Sequence, residues 1–417
     1  MTSIAGRAPW LDEPHLQALL AALRADGEEA RIAGGAVRNA LLGAPGNDVD
    51  IATTNLPADT VARVRQAGFR AVPTGIEHGT VTVIAGGRPY EVTTLRDDVE
   101  TDGRYARVVF GRDWKRDAER RDFTINALYA DADGAVFDPI GGLSDIESRT
   151  LRFIGKAEDR IREDYLRILR FFRFFAWYGA GRPDAEGLKA CARLKDGLAR
   201  LSAERVWSEL RKLFSAPDPS RAVLWMRQTG VLTAILPETE KWGIDALGPL
   251  IETEAALSWP PDALLRLMAI LPPDPARMEA LAKRLRLSRA ENDRLVAWAM
   301  AEPARADRGD LALSKMLYRG DAQAVRDRLA LALAAARGSG KLDEAAAFMR
   351  QHKLAAAWQL PIFPVRGDDL AALGVAPGKQ LGDLLRRLES EWIESGFQTD
   401  RDALVARAAM LVQESRG

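Results

Sequence analysis

The chain has 417 residues, enough for several modules, and its 47% hydrophobic content is ample for ordinary buried cores. Lysine plus arginine equals aspartate plus glutamate at 59 each, so no global field draws the protein onto nucleic acid, although a local basic face remains open to it. One cysteine, Cys191, excludes an intrachain disulfide, and three scattered histidines leave no zinc cluster, so any metal must be held by carboxylates. No run approaches about eighteen uninterrupted apolar residues, and the first residues lack the basic-then-apolar pattern of a secretion signal; a cytoplasmic protein without a membrane partner is expected.

In chain order, residues 10–25 have the spacing of an amphipathic helix. The stretch 31–53, RIAGGAVRNALLGAPGNDVDIAT, follows. Gly34 and Gly35 remove side chains where a backbone must approach an anion, and Val37, Leu41 and Leu42 start a helix over 35–42 with Arg38 in its first turn. A strand over 48–52 then points Asp48 and Asp50 to one face and Val49 and Ile51 to the other. Paired carboxylates repel unless a cation lies between them, and hard divalent ions such as magnesium bridge such oxygens to phosphates. A glycine turn or an Asp-x-Asp pair alone is usually only a turn or a solvated strand end; their order and spacing together point to nucleotide chemistry.

A helix is expected over 58–67, then paired strands over 80–84 and 89–95 around the turn signal Gly86-Gly87. Glu91 lies in the second strand, either as a third acid beside the aspartates or as a solvent-facing carboxylate. Residues 97–119 carry many charges and little periodicity and read as a mobile loop. In 119–128, ERRDFTINAL, Phe123, Ala127 and Leu128 can share a helical face, leaving Arg120, Arg121, Asp122 and Asn126 for polar work. The segment 137–146, FDPIGGLSDI, reads as a turn with a helix cap.

Nearly everything after about 158 reads as helix. Residues 161–174, IREDYLRILRFFRF, interleave apolar and basic positions at helical spacing, with Asp164 and Arg167 three apart, and Glu163 and Arg167 four apart, as neighbours on one face. An Asp that accepts from an exocyclic amine beside an Arg that donates to a ring acceptor can read a base edge. Helices follow over 203–214, 221–229, 263–270, 278–287, 289–300, 322–336 and 343–351, with a flexible joint at 338–340 and a helical tail over 370–390 and 401–414.

The ordered series GGAVRNALLG with Asp48-x-Asp50, RRDFTINAL, DPIGGLSDI, REDYLRILRFFRF and a fifth motif carrying Arg205 and Glu209 resembles the tRNA nucleotidyltransferase and poly(A) polymerase family. This is the bacterial, class II type of the polymerase beta superfamily. The resemblance spans residues 30–215 and implies an α+β architecture: a nucleotidyltransferase head with a mixed sheet and helices, then an all-α neck, body and tail. The boundaries fall at 1–155, 156–215, 216–335 and 336–417. It implies that Asp48 and Asp50 bind magnesium, with Glu91 a possible third carboxylate. Gly34, Gly35 and Arg38 would hold the triphosphate, and Arg121, Asp122 and Asn126 the sugar. Asp164 and Arg167 would act as a protein template for CTP or ATP, with Arg170 in the same pocket.

The partners implied are tRNA, CTP and ATP, and the reaction is addition of C, C and A to the tRNA 3′ end. The segment 74–81, TGIEHGTV, lacks the basic Gly-Arg-Arg-Phe run of bacterial poly(A) polymerases, which favours CCA addition over poly(A) synthesis or partial addition. An inactive RNA-binding protein is the alternative from another class. One departure stands at Asn39, where the family commonly has Asp: shape and acceptor oxygen are kept and the charge is lost. Oligomeric state is left open.

Overall fold

The computed structural model describes residues 2–46, 48–72, 75–102 and 105–414. Thr74 of the 74–81 segment, and Gly103 and Arg104 of the charged stretch, lie outside the described residues. The chain divides into two compact units, 1–240 and 241–417.

The first unit begins with α1 (Pro14–Leu23), β1 (Ala30–Ala33), α2 (Gly35–Leu42), β2 (Asp50–Thr53), α3 (Pro57–Gln66), β3 (Arg70–Val72), β4 (Thr80–Ala85) and β5 (Arg88–Thr94). Next come β6 (Arg96–Asp102), β7 (Tyr105–Phe110), α4 (Trp114–Glu119), β8 (Tyr129–Ala130), β9 (Val136–Phe137) and α5 (Leu143–Glu147). A mixed sheet orders its strands β3-β4-β5-β2-β1-β8-β9. β2 runs parallel to β5 and antiparallel to β1. Val81, Val83 and Ala85 are buried while Thr80, Thr82 and Ile84 are half-buried, the two-residue period of a strand packed on one face. Gly86 and Gly87 both take positive φ, 57° and 78°, as a tight hairpin turn between right-twisted strands demands.

The expected strand over 48–52 starts only at Asp50. Asp48 precedes it, yet the alternation persists, with Val49 and Ile51 buried and both aspartates exposed. The charged stretch is not an irregular loop. β6 and β7 pair as a separate antiparallel hairpin, and α4 follows, capped by Asp113, which accepts from the amides of Lys115 and Arg116 at 2.8 and 3.3 Å. Its pairing comes from register with a neighbouring strand, a signal that hydrophobic periodicity does not carry. Phe123, Ala127 and Leu128 do not share a helical face either. The segment makes only a 3₁₀ turn, Thr124–Asn126, with Phe123 in a bridge to Phe153. Asp138 accepts from the amides of Ile140, Gly141, Gly142 and Leu143, fixing the turn ahead of α5.

The helix expected through 161–174 is two helices, α6 (Ala157–Glu163) and α7 (Leu166–Tyr178), broken at Asp164. Asp164 is extended (φ −154°, ψ 108°); its carboxylate accepts from the Leu166 amide at 3.1 Å and its carbonyl from the Arg167 amide at 3.0 Å. An aspartate that bonds local amides in this way starts a new helix rather than continuing the old one. Phe171 of α7 stacks on Phe153 at 5.3 Å, and Phe123 packs beside both, which seats α7 against the 119–128 segment. α8 (Ala185–Leu194) and α9 (Ala203–Phe214) follow, then helices Ser220–Gln228 and Val231–Ile235.

The described residues of the second unit form helices from Leu247–Leu257 to Arg401–Glu414 and no strand. One core gathers Leu313, Leu333 and Phe348, another Leu388, Trp392 and Leu404. The flexible joint expected at 338–340 is a tight turn between Ala322–Gly338 and Leu342–Ala356. A Cβ on Gly338 would come within 2.6 Å of the Pro249 side chain, so the turn packs closely against the helix Leu247–Leu257.

Candidate active site

β1 ends at Ala33, and the chain turns through Gly34 (φ 62°, ψ −109°) into α2. A Cβ at Gly34 would lie 2.8 Å from the Arg121 guanidinium and 3.2 Å from the Asn126 carbonyl oxygen, so a glycine is needed both for the backbone and for the approach. Arg38, one turn into α2, is buried at 6% exposure. It donates to Asn126 Oδ1, to the Tyr178 hydroxyl at 2.8 Å, and to Asn39 Oδ1 from Nε and Nη2 at 3.1 and 2.8 Å. Its guanidinium also lies 4.0 Å from the Tyr178 ring centre. Burial pulls the Arg38 pKa down from its ordinary value. The acceptor oxygen of Asn39 is therefore in use, and the departure from aspartate removes charge but not the hydrogen bonds to Arg38.

Arg121 donates to Asp117 and, at 3.2 Å, to the Asn126 carbonyl. Asp117 is almost wholly buried and also accepts from Tyr129 at 2.6 Å and Arg120 at 2.8 Å. Burial would raise the Asp117 carboxyl pKa, but Arg121, Arg120 and the Tyr129 hydroxyl hold it below the ordinary range. Asp122 is likewise buried. It takes a forked pair from Arg170 at 2.7 and 2.5 Å and a bond from Asn126 at 3.0 Å. There too burial works upward, and Arg170 and Asn126 win, lowering its pKa.

On α7 the three-residue spacing of Arg167, Arg170 and Arg173 keeps their side chains along one stripe. Arg170 binds Asp122, and Arg173 binds Glu209 of α9 at 2.5 Å. Asp164 and Arg167 do not pair with each other. Asp164 accepts from Arg205 at 2.6 Å, and Arg167 donates to Glu163 at 2.5 Å. Arg205 and Glu209, one turn apart, are likewise partners of other elements rather than of each other.

These groups surround one cavity of about 510 Å³. Gly34, Gly35, Arg38, Arg121, Asp122, Asn126, Asp164, Arg167 and Arg170, the nine residues read from sequence as nucleotide-binding, all line it. Leu166, Phe174 and Arg205 complete the wall. Phe174, a phenylalanine in an apolar run, carries no sequence mark of lining a pocket; its ring lies 4.2 Å from the Arg173 guanidinium. Tyr178 and Asp117 are likewise singled out by no motif. Only the i+3 and i+4 spacing of Asp117 to Arg120 and Arg121 could have signalled that acid.

A second cleft of about 480 Å³ shares Arg121 with the first and contains Asp50, Glu91 and Thr93. The parallel register sets Asp50 opposite Glu91. Asp50 remains open to solvent, yet protein crowding raises its carboxyl pKa, as do Glu91 and Asp48, while Arg121 opposes them. Among the described residues no three carboxylate, histidine or cysteine side chains stand together as a finished metal cage. The available donors are nevertheless all hard oxygens under mutual repulsion, the chemistry a magnesium ion fits.

A family model described as the poly A polymerase head domain matches residues 30–152, and one described as the probable RNA and SrmB-binding site of polymerase A matches 182–242. The mitochondrial CCA tRNA nucleotidyltransferase 1 of Mus musculus is 35% identical over 406 residues, covering 94% of this chain and 89% of that protein. The CCA-adding enzyme of Geobacillus stearothermophilus is 40% identical over 241 residues, 57% of each chain. Among solved structures, the Bacillus stearothermophilus CCA-adding enzyme in complex with CTP superposes with a TM-score of 0.73 at 27% identity, over 96% of this chain and 98% of that one.

Proposed function

Because the chain belongs to the tRNA nucleotidyltransferase and poly(A) polymerase family, we propose that it completes tRNA 3′ ends, adding C, C and A from CTP and ATP with release of pyrophosphate. The observation that carries this reading is the single cavity in which anion-binding groups (Gly34, Gly35, Arg38) and base-edge groups (Asp164, Arg167) face one another.

In this reading the Gly34-Gly35 turn and the amide end of α2 receive the triphosphate, with Arg38 and Arg121 supplying fixed positive charge. Asn126 and Asp122 meet the ribose hydroxyls. Asp164 accepts from the exocyclic amine of cytosine or adenine while Arg167 donates to a ring acceptor; guanine and uracil present the opposite pattern at these positions. Arg205 and Glu163 give up part of their hold on these two groups when a base arrives, so the correct base must replace ion pairs already present.

Membership of the family implies magnesium-dependent catalysis, and Asp48 and Asp50 would hold the ion, with Glu91 as the third carboxylate. Bound there, it supplies charge to lower the pKa of the attacking 3′-hydroxyl and to stabilise the departing pyrophosphate. The chain's own contribution is to place the acceptor in the Asp50 cleft and the nucleotide in the neighbouring cavity, with Arg121 common to both. No described helix is long and apolar enough to cross a membrane, and the reading puts the enzyme in the cytoplasm. In this reading the head, neck, body and tail meet at 155, 215 and 335, and the tail, 336–417, holds the tRNA.

The test is incorporation of labelled CTP and ATP, singly and together with magnesium, into tRNAs ending before CCA, after C and after CC. Two C additions followed by one A and arrest are expected. A long A tail would replace the reading with poly(A) synthesis, addition of C or A alone with partial addition, and no incorporation with an RNA-binding protein.

A further inference from the structure

Arg160 on α6 is not among the residues lining either cleft, yet its guanidinium joins the groups that line them. Nη2 donates to the carbonyl oxygens of Arg120 and, at 2.6 Å, Arg121, both exposed by the end of α4. Nη1 donates to both carboxylate oxygens of Glu163 at 2.8 and 2.6 Å, and Glu163 in turn accepts from Arg167. The Arg160 carbonyl accepts from Arg167 as well, at 2.7 Å. One planar fork thus ties the backbone that carries Arg121 and Asp122 to the side chain that orients Arg167. The Arg160 side chain is 13% exposed, and its Nε is buried without a hydrogen-bond partner among the described residues. A buried cation with an unmet donor is a poor choice for stability alone.

We propose that Arg160 is a positioning residue for base selection: it fixes Arg167, through Glu163, at a set distance from the triphosphate and sugar groups. A base that fits Arg167 then brings its α-phosphate into register with Arg121, and a base that displaces Arg167 does not. This rests on the reading of Asp164 and Arg167 as the base-selecting pair.

Arg160→Lys keeps the charge but cannot span two carbonyls and a carboxylate with one rigid fork. In the full chain, kcat and KM are measured for CTP and UTP on tRNA lacking CCA, and for ATP and GTP on tRNA ending in CC. R160K is expected to lower the CTP:UTP and ATP:GTP ratios of kcat/KM by about tenfold while KM for tRNA stays within about twofold. E163Q, which loosens the same link from its other side, is expected to lower the same ratios. The double variant should fall no further than the worse single one, as for residues acting as a unit. If kcat/KM in R160K falls in proportion for all four nucleotides and the ratios hold, Arg160 is structural only and the proposal is overturned. Should R160K fail to fold, wild-type ratios in E163Q overturn it instead. Absence of any CTP or ATP incorporation by the wild-type protein would defeat the functional reading itself, an outcome separate from any change between variants.

Discussion

The nucleotide cavity and the carboxylate cleft share Arg121 and differ in how their charges are satisfied. In the cavity nearly every ion has a partner supplied by another element: Arg170 with Asp122, Arg205 with Asp164, Arg167 with Glu163. Such a network holds side chains in place before the ligand arrives, and the ligand must exchange bonds to enter. In the cleft, loss of solvent raises the Asp50 carboxyl pKa first, the negative charges of Glu91 and Asp48 add to it, and Arg121 opposes them. In the proposed reading the first site selects the base and the second receives the cation.

If that contrast holds, the largest effect comes from the cleft. Asp48→Asn or Asp50→Asn should cut turnover by about a thousandfold or more, roughly 4 kcal/mol of transition-state stabilisation, at saturating nucleotide. Single-turnover extension with magnesium measures it, and a loss recovered by more CTP would assign the aspartates to binding. Glu91→Gln in the same assay separates a third metal-binding acid from a solvent-facing carboxylate: only the former loses turnover.

The cavity should respond differently. Asp164→Ala or Arg167→Ala should reduce the preference for CTP and ATP over UTP and GTP by about tenfold to a hundredfold, with a smaller loss in maximal rate. Equal losses for all four nucleotides would remove the distinction between the two sites.

Next in size is the buried pair of Asp122 and Arg170. Its carboxyl pKa is lowered in the folded state, so its stabilisation is present above the ordinary aspartate value of about 3.9 and is lost as pH falls through the lowered one. Asp122→Asn should cost about 1–3 kcal/mol at neutral pH, with the gap to wild type narrowing in acid; urea unfolding from pH 7 to pH 3 tests both the size and the sign. A gap independent of pH would mean that the pair contributes shape and not charge.

The smallest effect is expected at Asn39, whose oxygen already accepts from Arg38. Asn39→Asp should change KM for CTP less than about threefold, since it adds a charge to hydrogen bonds that exist. A larger change would show that the neutral residue sets the charge balance at the triphosphate.

By itself the sequence determined the helix Gly35–Leu42, the helix Ala203–Phe214, the hairpin of β4 and β5, and nine of the residues that line the larger cavity, Phe174 not among them. Each rests on local signals: glycines at positive φ, 3.6-residue or two-residue periods, and carboxylates and guanidiniums grouped in short motifs. The i,i+4 pair of Glu163 and Arg167 was legible too, while tertiary structure alone decided the long-range partners. Arg38 meets Tyr178 across 140 positions, and Arg205 rather than Arg167 holds Asp164, because long side chains pair according to which helices the apolar core brings together. The hairpin of β6 and β7 and the break at Asp164 were hidden for a related reason. A strand made by register with its neighbour, and a helix restarted by a side chain bonding local amides, leave no hydrophobic period to read.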